Sequence, residues 1–491
     1  MLEMIEHINS IINNFVWGVP MLVLLVGTGI LMTCLTKFFQ VSHFKHWWKN
    51  TIGAVFSDSH VTAHTDKDDK SISQFQSLCT ALAATIGTGN IAGVAAAIAS
   101  GGPGSIFWMW LTAFFGMMTN YSENVLGIYY RRKNERGEWC GGAMYYLKDG
   151  LGSKEGFKTI GSVLAVLFSC FCVLASFGIG NMSQINTIAS NMNSAFGIPS
   201  YISGILLMVI AALVIIGGLK RIASVSEMLV PFMAIAYILG AFVIVICNIT
   251  SIPAVIASIF KGAFAIKAVG GGIVGYGVKQ ALTWGMKRGV FSNEAGLGSS
   301  VMVHSASNVK EPVRQGMWGI FEVFADTIVV CSLTAFSILC SGLVNLETGE
   351  MISTAEKTAL VAESFSTVFG SLGAKFIAIA ILLFAFSTVL GWSQYGMRAF
   401  EYLFGTKATI IYRVIFVAFI FIGSTMDLSL AWDLSDTFNG LMAIPNLIGV
   451  LAGASTVTMI TKNYVDRVLL HKDIKPVYSA FKDIQEMQEN S

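Results

Sequence analysis

Two stretches decide the fold: Thr80-Ala-Leu-Ala-Ala-Thr-Ile-Gly87-Thr88-Gly89-Asn90-Ile-Ala-Gly93 and Trp284-Gly-Met-Lys-Arg-Gly289-Val-Phe291-Ser292-Asn293-Glu294-Ala-Gly296-Leu-Gly298. The first interrupts an apolar run at 74–99. The second lies in a weaker, Gly-rich run at 270–303 that also carries Lys279, Lys287 and Arg288. Glycine at mid-membrane depth weakens a helix, because it loses more backbone entropy on ordering than any other residue. Backbone groups freed there must face protein or a wet cavity, since hydrocarbon offers them no partner. They then become ligands. Half-helix N-termini offer N–H groups to a carboxylate, and unwound carbonyls offer oxygen to a cation.

The surrounding composition supports membrane depth. The chain has 491 residues, 54% hydrophobic and only 12% charged, against about 25% charged in soluble domains. Mean hydropathy is +0.67. This excludes a disordered, fibrous, coiled-coil or nucleic-acid-binding chain as the main reading, and argues against an ordinary soluble enzyme. The polypeptide is expected to be an all-α membrane protein with the lipid bilayer as its main solvent. The eight cysteines include no C-x-x-C pair and mostly sit in apolar runs, as small packing residues do. Residues 1–14 carry no Lys or Arg, so no cleavable signal is expected.

Eleven spans are expected, at about 15–36, 74–99, 105–130, 159–190, 200–218, 223–247, 270–303, 316–341, 373–400, 409–425 and 431–460. With the N-terminus outside, the inside segments hold 22 of the 31 Lys and Arg, and the outside segments hold 4 when Lys375, at the very start of a span, is counted with them. That bias fits the positive-inside rule, with the C-terminus in the cytoplasm. Omitting 270–303 would put the basic tail on the wrong side. Setting the first span aside, the breaks fall in spans one and six of the remaining ten. Five is odd, so the two halves would run in opposite senses, as in an inverted repeat with its site at the midplane. The expected organisation is an N-terminal helix and inner-surface amphipathic helix (1–72), a first five-helix repeat (73–248), a second (249–460) and a tail (461–491). In the amphipathic segment 40–56, Trp47 and Trp48 are expected at headgroup level. A weaker echo pairs Gly180-Asn-Met-Ser183-Gln184 with Gly391-Trp-Ser393-Gln394.

Other readings lack residues. Gly87-x-Gly89-x-x-Ala92 matches a relaxed dinucleotide fingerprint, but it follows a helical pattern and no acidic residue appears before Glu123. There is no phosphate-loop lysine motif, no H-E-x-x-H and no G-x-S-x-G. Close helix packing through small residues could explain either Gly cluster alone; the paired positions favour breaks. Intramembrane Glu123, Glu227, Glu294, Glu322 and Asp326 are functional candidates by default. Glu322 and Asp326, four residues apart on one helix face, could form a proton site or gate pairs with Lys287 or Arg288.

At these residues the sequence resembles the alanine or glycine:cation symporter family, amino-acid transporters of the LeuT-type superfamily. The resemblance is carried by WGVPMLVLLVGTGILMT at 17–33, FQSLCTALAATIGTGNIAGVAAAI at 75–98 and GGPGSIFWMWLTAFFGM at 101–117. It continues through GGAMYYL at 141–147, MKRGVFSNEAGLGSS at 286–300, FEVFADTIVVC at 321–331 and FSTVLGWSQYGMRA at 386–399. Ala143, Gln394 and Met397 depart from the family pattern. The resemblance implies a 5+5 inverted repeat preceded by one extra helix, eleven transmembrane helices in all. It implies Na+-coupled uptake of a small neutral amino acid such as alanine or glycine, with glutamine or proton coupling as alternatives. Substrate would be held by the amides near Thr88, Gly89 and Asn90, by Phe291, Ser292 and Asn293, by Gln184, and by Trp392 as a wall of the side-chain pocket. Na+ would meet the carbonyls of Ala83 and Ile86 and the hydroxyls of Ser387 and Thr388; neutral hard oxygens suit a monovalent ion. No organic cofactor and no nucleic-acid partner are expected, and the chain is expected to work as a monomer in the plasma membrane.

Overall fold

The computed structural model describes residues 2–65, 70–264, 276–426 and 429–490. The first half comprises α1 (Leu2–Val16), α2 (Val19–Leu35), α3 (Gln74–Thr85), α4 (Gly89–Gly101), α5 (Ser105–Tyr129), α6 (Lys158–Phe196), α7 (Ser200–Ile215), α8 (Gly218–Cys247) and α9 (Ile249–Phe264). The second half comprises α10 (Tyr276–Asn293), α11 (Val301–His304), α12 (Pro312–Cys340), α13 (Lys357–Phe369), α14 (Ser371–Phe404), α15 (Thr406–Thr425), α16 (Ser429–Ala452) and α17 (Ala454–Leu469). A short hairpin pairs Arg132–Lys133 with Trp139–Cys140.

Among the described residues, six helical segments are long and apolar enough to cross a bilayer, or up to eight if each of two bent pairs is one span. The pairs are α3–α4, bent by 51°, and Asp433–Ala452 with α17, bent by 56°. Expected spans 105–130, 200–218 and 270–303 fall on α5, α7 and α10, which do not meet that measure. Asn120, Glu123 and Asn124 dilute α5, α7 has only 16 residues, and α10 carries Lys279, Lys287 and Arg288. Residues 265–275, where the weak run begins, lie outside the described residues.

Local sequence explains the helix ends nearest the site. Ser73 opens α3 with a reciprocal cap: its hydroxyl accepts from the Gln76 amide, and the Gln76 side chain accepts from the Ser73 amide. Wider π-type turns interrupt α6 at Gly178–Met182 and α12 at Phe324–Cys331. The expected echo is therefore one-sided, because 391–394 sits in unbroken α14. The 40–56 segment also differs from expectation. It forms three short helices, and Trp47 is buried, its indole donating to the Gln40 carbonyl at 2.9 Å. Trp48 alone of the pair stays exposed.

The segments counted as inside come together at one end of the molecule. Arg314 pairs with Asp58 at 2.9 Å, Arg398 with Glu138 at 2.9 Å and Arg467 with Glu311 at 2.5 Å. The tail closes on this end through the Ala480 amide and the Tyr129 carbonyl, 3.0 Å apart. Segments counted as outside meet at the other end, where Gly104 and Gly262 pack backbone to backbone and Trp108 donates to the Ala263 carbonyl.

Candidate functional site

The first break spans Ile86–Thr88. The Gly87 N–H, which would continue α3 onto the Ala83 carbonyl, donates instead to Asn90 Oδ1 at 2.9 Å. Ala83 thereby loses its next helical donor. α4 then begins with a π-type turn at Gly89–Gly93, and its first amides carry the positive end of a helix dipole.

The second break begins later than the glycines suggested. α10 runs unbroken through Gly289 to Asn293, with Gly289 packed on Met109. The chain turns at Glu294, Gly296 and Gly298, with φ of +56°, +94° and +73°. Glycine takes these left-handed conformations freely, whereas Glu294 adopts one at a steric cost. The breaks touch: a Cβ on Gly89 would lie 3.3 Å from both Phe291 and Ser292.

Between them lies a cavity of about 20 Å³, room for about one water molecule. Thr88, Gly89, Gln184, Phe291, Thr388 and Trp392 line it, together with Glu294 and Asn439. Gln184 Nε2 donates to the Ile179 carbonyl at 3.0 Å, which leaves Gln184 Oε1 with no partner among the described residues. Asn439 Oδ1 is likewise buried without a partner. A buried acceptor left unpaired is costly unless something donates to it.

The side chains of three expected substrate residues turn to α12. Asn90 Nδ2 donates to Asp326 Oδ1 at 2.6 Å, and the Ser292 hydroxyl donates to Asp326 Oδ2 at 2.9 Å. Asn293 Nδ2 donates to Thr327 Oγ1, which itself donates to Asp326. Asp326, on the π-type turn of α12, is fully buried and ties both breaks to one carboxylate.

The expected cation ligands lie around the first break. Thr388 Oγ1 would be 2.3 Å from a Cβ on Gly87, so its hydroxyl abuts the unwound segment. Ser387 and Thr388 both donate to the Phe384 carbonyl, at 2.8 and 3.0 Å. Back-bonding of this kind uses the hydroxyl hydrogen and leaves lone pairs free. The second contact of Ser387 is Met233 Sδ, at 3.5 Å. Of the two hydroxyls, that of Thr388 is the one that abuts the unwound segment.

Gate pairs between Glu322 or Asp326 and Lys287 or Arg288 do not form. Lys287 instead pairs with Asp436 of α16 at 2.8 Å, a site joined by Asn13 and Trp17. Arg288 lies over the Trp284 and Phe291 rings. Glu322 is bound to His304 at 2.9 Å, both fully buried, with Ser77 and Gln315 behind the imidazole. Glu123 accepts from Asn446, and Glu227 accepts from His64 and Gln76. Glu294 accepts from the Trp392 indole at 2.8 Å. Sequence reasoning flagged Glu294 as a charge in a span but did not place it in the site; its position directly after Asn293 was the available signal. Asn439 carries no comparable signal, because it follows a polar stretch, Asp433 to Thr437, with no break of its own.

Comparison with known proteins follows the same lines. A family model described as the sodium:alanine symporter family matches residues 2–479. A Methanococcus maripaludis protein named sodium/alanine symporter AgcS is 44% identical over 464 residues, 94% of this chain and 98% of that protein. A Bacillus subtilis protein named probable sodium/glutamine symporter GlnT is 37% identical, covering 99% of this chain and 95% of its own. Among solved structures, the crystal structure of MhsT in complex with L-phenylalanine matches with a TM-score of 0.53 at 13% identity, over 80% of this chain and 99% of that one. That likeness shows the fold alone.

Proposed function

The chain belongs to the sodium:alanine symporter family, and from that premise we propose that it takes up a small neutral amino acid, alanine or glycine, together with Na+ by alternating access. It is a membrane transporter, not an enzyme. The observation that carries the substrate reading is the cavity where the two breaks meet, small and lined by unpaired acceptors. Acceptors suit an ammonium group, and the amides of Thr88, Gly89 and Asn90 at the start of α4 suit a carboxylate. Phe291 and Trp392 would bound the side chain. At about 20 Å³, the cavity must open for any amino acid, and alanine or glycine would demand less movement of the walls than glutamine. The backbone of Ser292 and Asn293 would complete the site, while their side chains fix its shape through Asp326 and Thr327.

In this reading Na+ sits between the Ala83 and Ile86 carbonyls and the hydroxyls of Ser387 and Thr388. Ten helices would form a 5+5 inverted repeat behind one N-terminal helix, eleven spans in all, with repeats at 73–248 and 249–460. The N-terminus would lie outside and the C-terminus in the cytoplasm, and one chain would suffice for transport. One elementary charge crossing 100 mV is worth roughly 2.3 kcal/mol, about fifty-fold in concentration.

The test is uptake of labelled alanine, glycine and glutamine into vesicles holding the full chain, with an imposed Na+ gradient, a proton gradient, or neither. Concentrative uptake of alanine or glycine with Na+ alone is expected. Uptake driven by protons alone would overturn the coupling ion, and no uptake by folded protein would overturn the transport reading.

A further inference from the structure

The Trp392 indole is held from three sides. A Cβ on Gly180 would lie 2.5 Å from the Trp392 ring, so the π-type turn of α6 packs against the indole with no room to spare. Tyr395 meets the same ring edge-on, with centroids 5.5 Å apart. The third contact is polar. The indole N–H donates to Glu294 Oε1 at 2.8 Å, while Ser299 donates to Glu294 Oε2. Trp392 and Glu294 are both buried, and both line the cavity between the breaks.

A buried indole N–H needs an acceptor, and a neutral carbonyl would satisfy it. Here the acceptor is a side-chain carboxyl oxygen brought in from the second break. That carboxyl group hangs from a left-handed backbone position, φ +56°, where glycine or asparagine would sit with less strain. Such strain persists when the surroundings hold it in place, and it clusters at ligand sites.

We infer that Glu294 is a positioning residue that sets the largest side chain the carrier accepts, by pinning the Trp392 indole across the cavity. This deepens the transport reading and rests on it. Any bound amino acid must move the walls of so small a cavity, and a side chain long enough to displace the indole breaks the bond to Glu294 and leaves two buried polar atoms unpaired. Glycine and alanine, with the shortest side chains, call for the least displacement of the ring. Glu294 thus acts on size selectivity through Trp392, not on the amino-acid head group that all substrates share.

The test is equilibrium competition against labelled alanine on the purified full chain in Na+, with glycine, alanine, methionine and leucine as competitors. Glu294→Met removes the acceptor while keeping the volume, and Trp392→Phe removes the donor while keeping a ring. Each is expected to raise the affinity for methionine relative to alanine by about tenfold. The double variant is expected to do no more than either single change, because one bond is lost in each case. Glu294→Gln, whose amide oxygen still accepts from the indole, is expected to keep the wild-type ratio. The inference is overturned if Glu294→Met and Trp392→Phe weaken all four amino acids equally and leave the ratio unchanged. If Glu294→Met does not fold, Glu294→Leu, which also removes the acceptor of the indole N–H, decides by the same ratio. Wild-type protein that binds no amino acid of any size would overturn the transport reading and this inference together, before any variant is compared.

Discussion

Asp326 joins residues that the chain holds far apart. Its carboxylate accepts from Asn90 at the first break, from Ser292 just before the second, and from its neighbour Thr327. Asp326→Ala would leave these buried donors without their acceptor, each at a cost of about 1–3 kcal/mol. The melting temperature of the detergent-purified protein is expected to fall by several degrees; an unchanged melt would show that the donors find other partners. Thr388 offers a different test. Thr388→Val keeps the shape and deletes the oxygen that abuts Gly87. Half-saturating Na+ for uptake is expected to rise about tenfold, the size of one lost polar contact, while alanine affinity at saturating Na+ stays near wild type. An Na+ titration of initial uptake reads both quantities.

At the scale of elements, α10 and α16 are joined by Lys287 and Asp436, at 2.8 Å and only partly exposed. A pair in such a setting is worth about 1 kcal/mol after solvent screening. Asp436→Asn is expected to change the initial uptake rate about fivefold, corresponding to that energy, with little effect on alanine affinity. Exchanging the charges, Lys287→Asp with Asp436→Lys, is expected to restore the rate; a swap that fails to do so would rule out a simple ionic latch. The π-type turn of α6 makes a second prediction. Gly180→Ala drives a methyl group against the indole, pushing the ring toward the cavity. Competition binding is expected to show alanine affinity falling more than glycine affinity, and an equal fall would mean that the ring does not move.

The elements also show which features are readable from residue order. Both breaks were legible because Gly-x-Gly patterns in membrane-depth runs leave few other conformations. Their exact turning points were not. Gly289 looks like a breaker but is a packing glycine against Met109, whereas Glu294 takes a left-handed conformation that its side chain disfavours. Composition carries no sign of that choice, because the surrounding packing imposes it. Asn90 and Ser292 were legible as residues at the breaks, but the direction of their side chains was not. Their acceptor is a carboxylate on another helix, and only tertiary structure brings it there. The Lys287 partner was missed for the same reason, since α16 approaches from the far end of the chain.

For the whole molecule, charge alternation divided the connections into two sets, and the ion pairs Arg314–Asp58, Arg398–Glu138 and Arg467–Glu311 gather one set at one end. Sidedness is expected to follow the basic residues. An impermeant maleimide should reach exposed Cys247 in intact cells, and a cysteine introduced by Lys475→Cys only after permeabilisation. The reverse pattern would invert the orientation. The cavity where the breaks meet is about 20 Å³, enough for a single water. Proton hopping needs an unbroken file of hydrogen-bonded waters, and a one-water chamber cannot hold such a file. The protein should therefore be an electrical insulator between turnovers, and planar bilayers containing it should show no standing leak current at any holding voltage in the absence of amino acid.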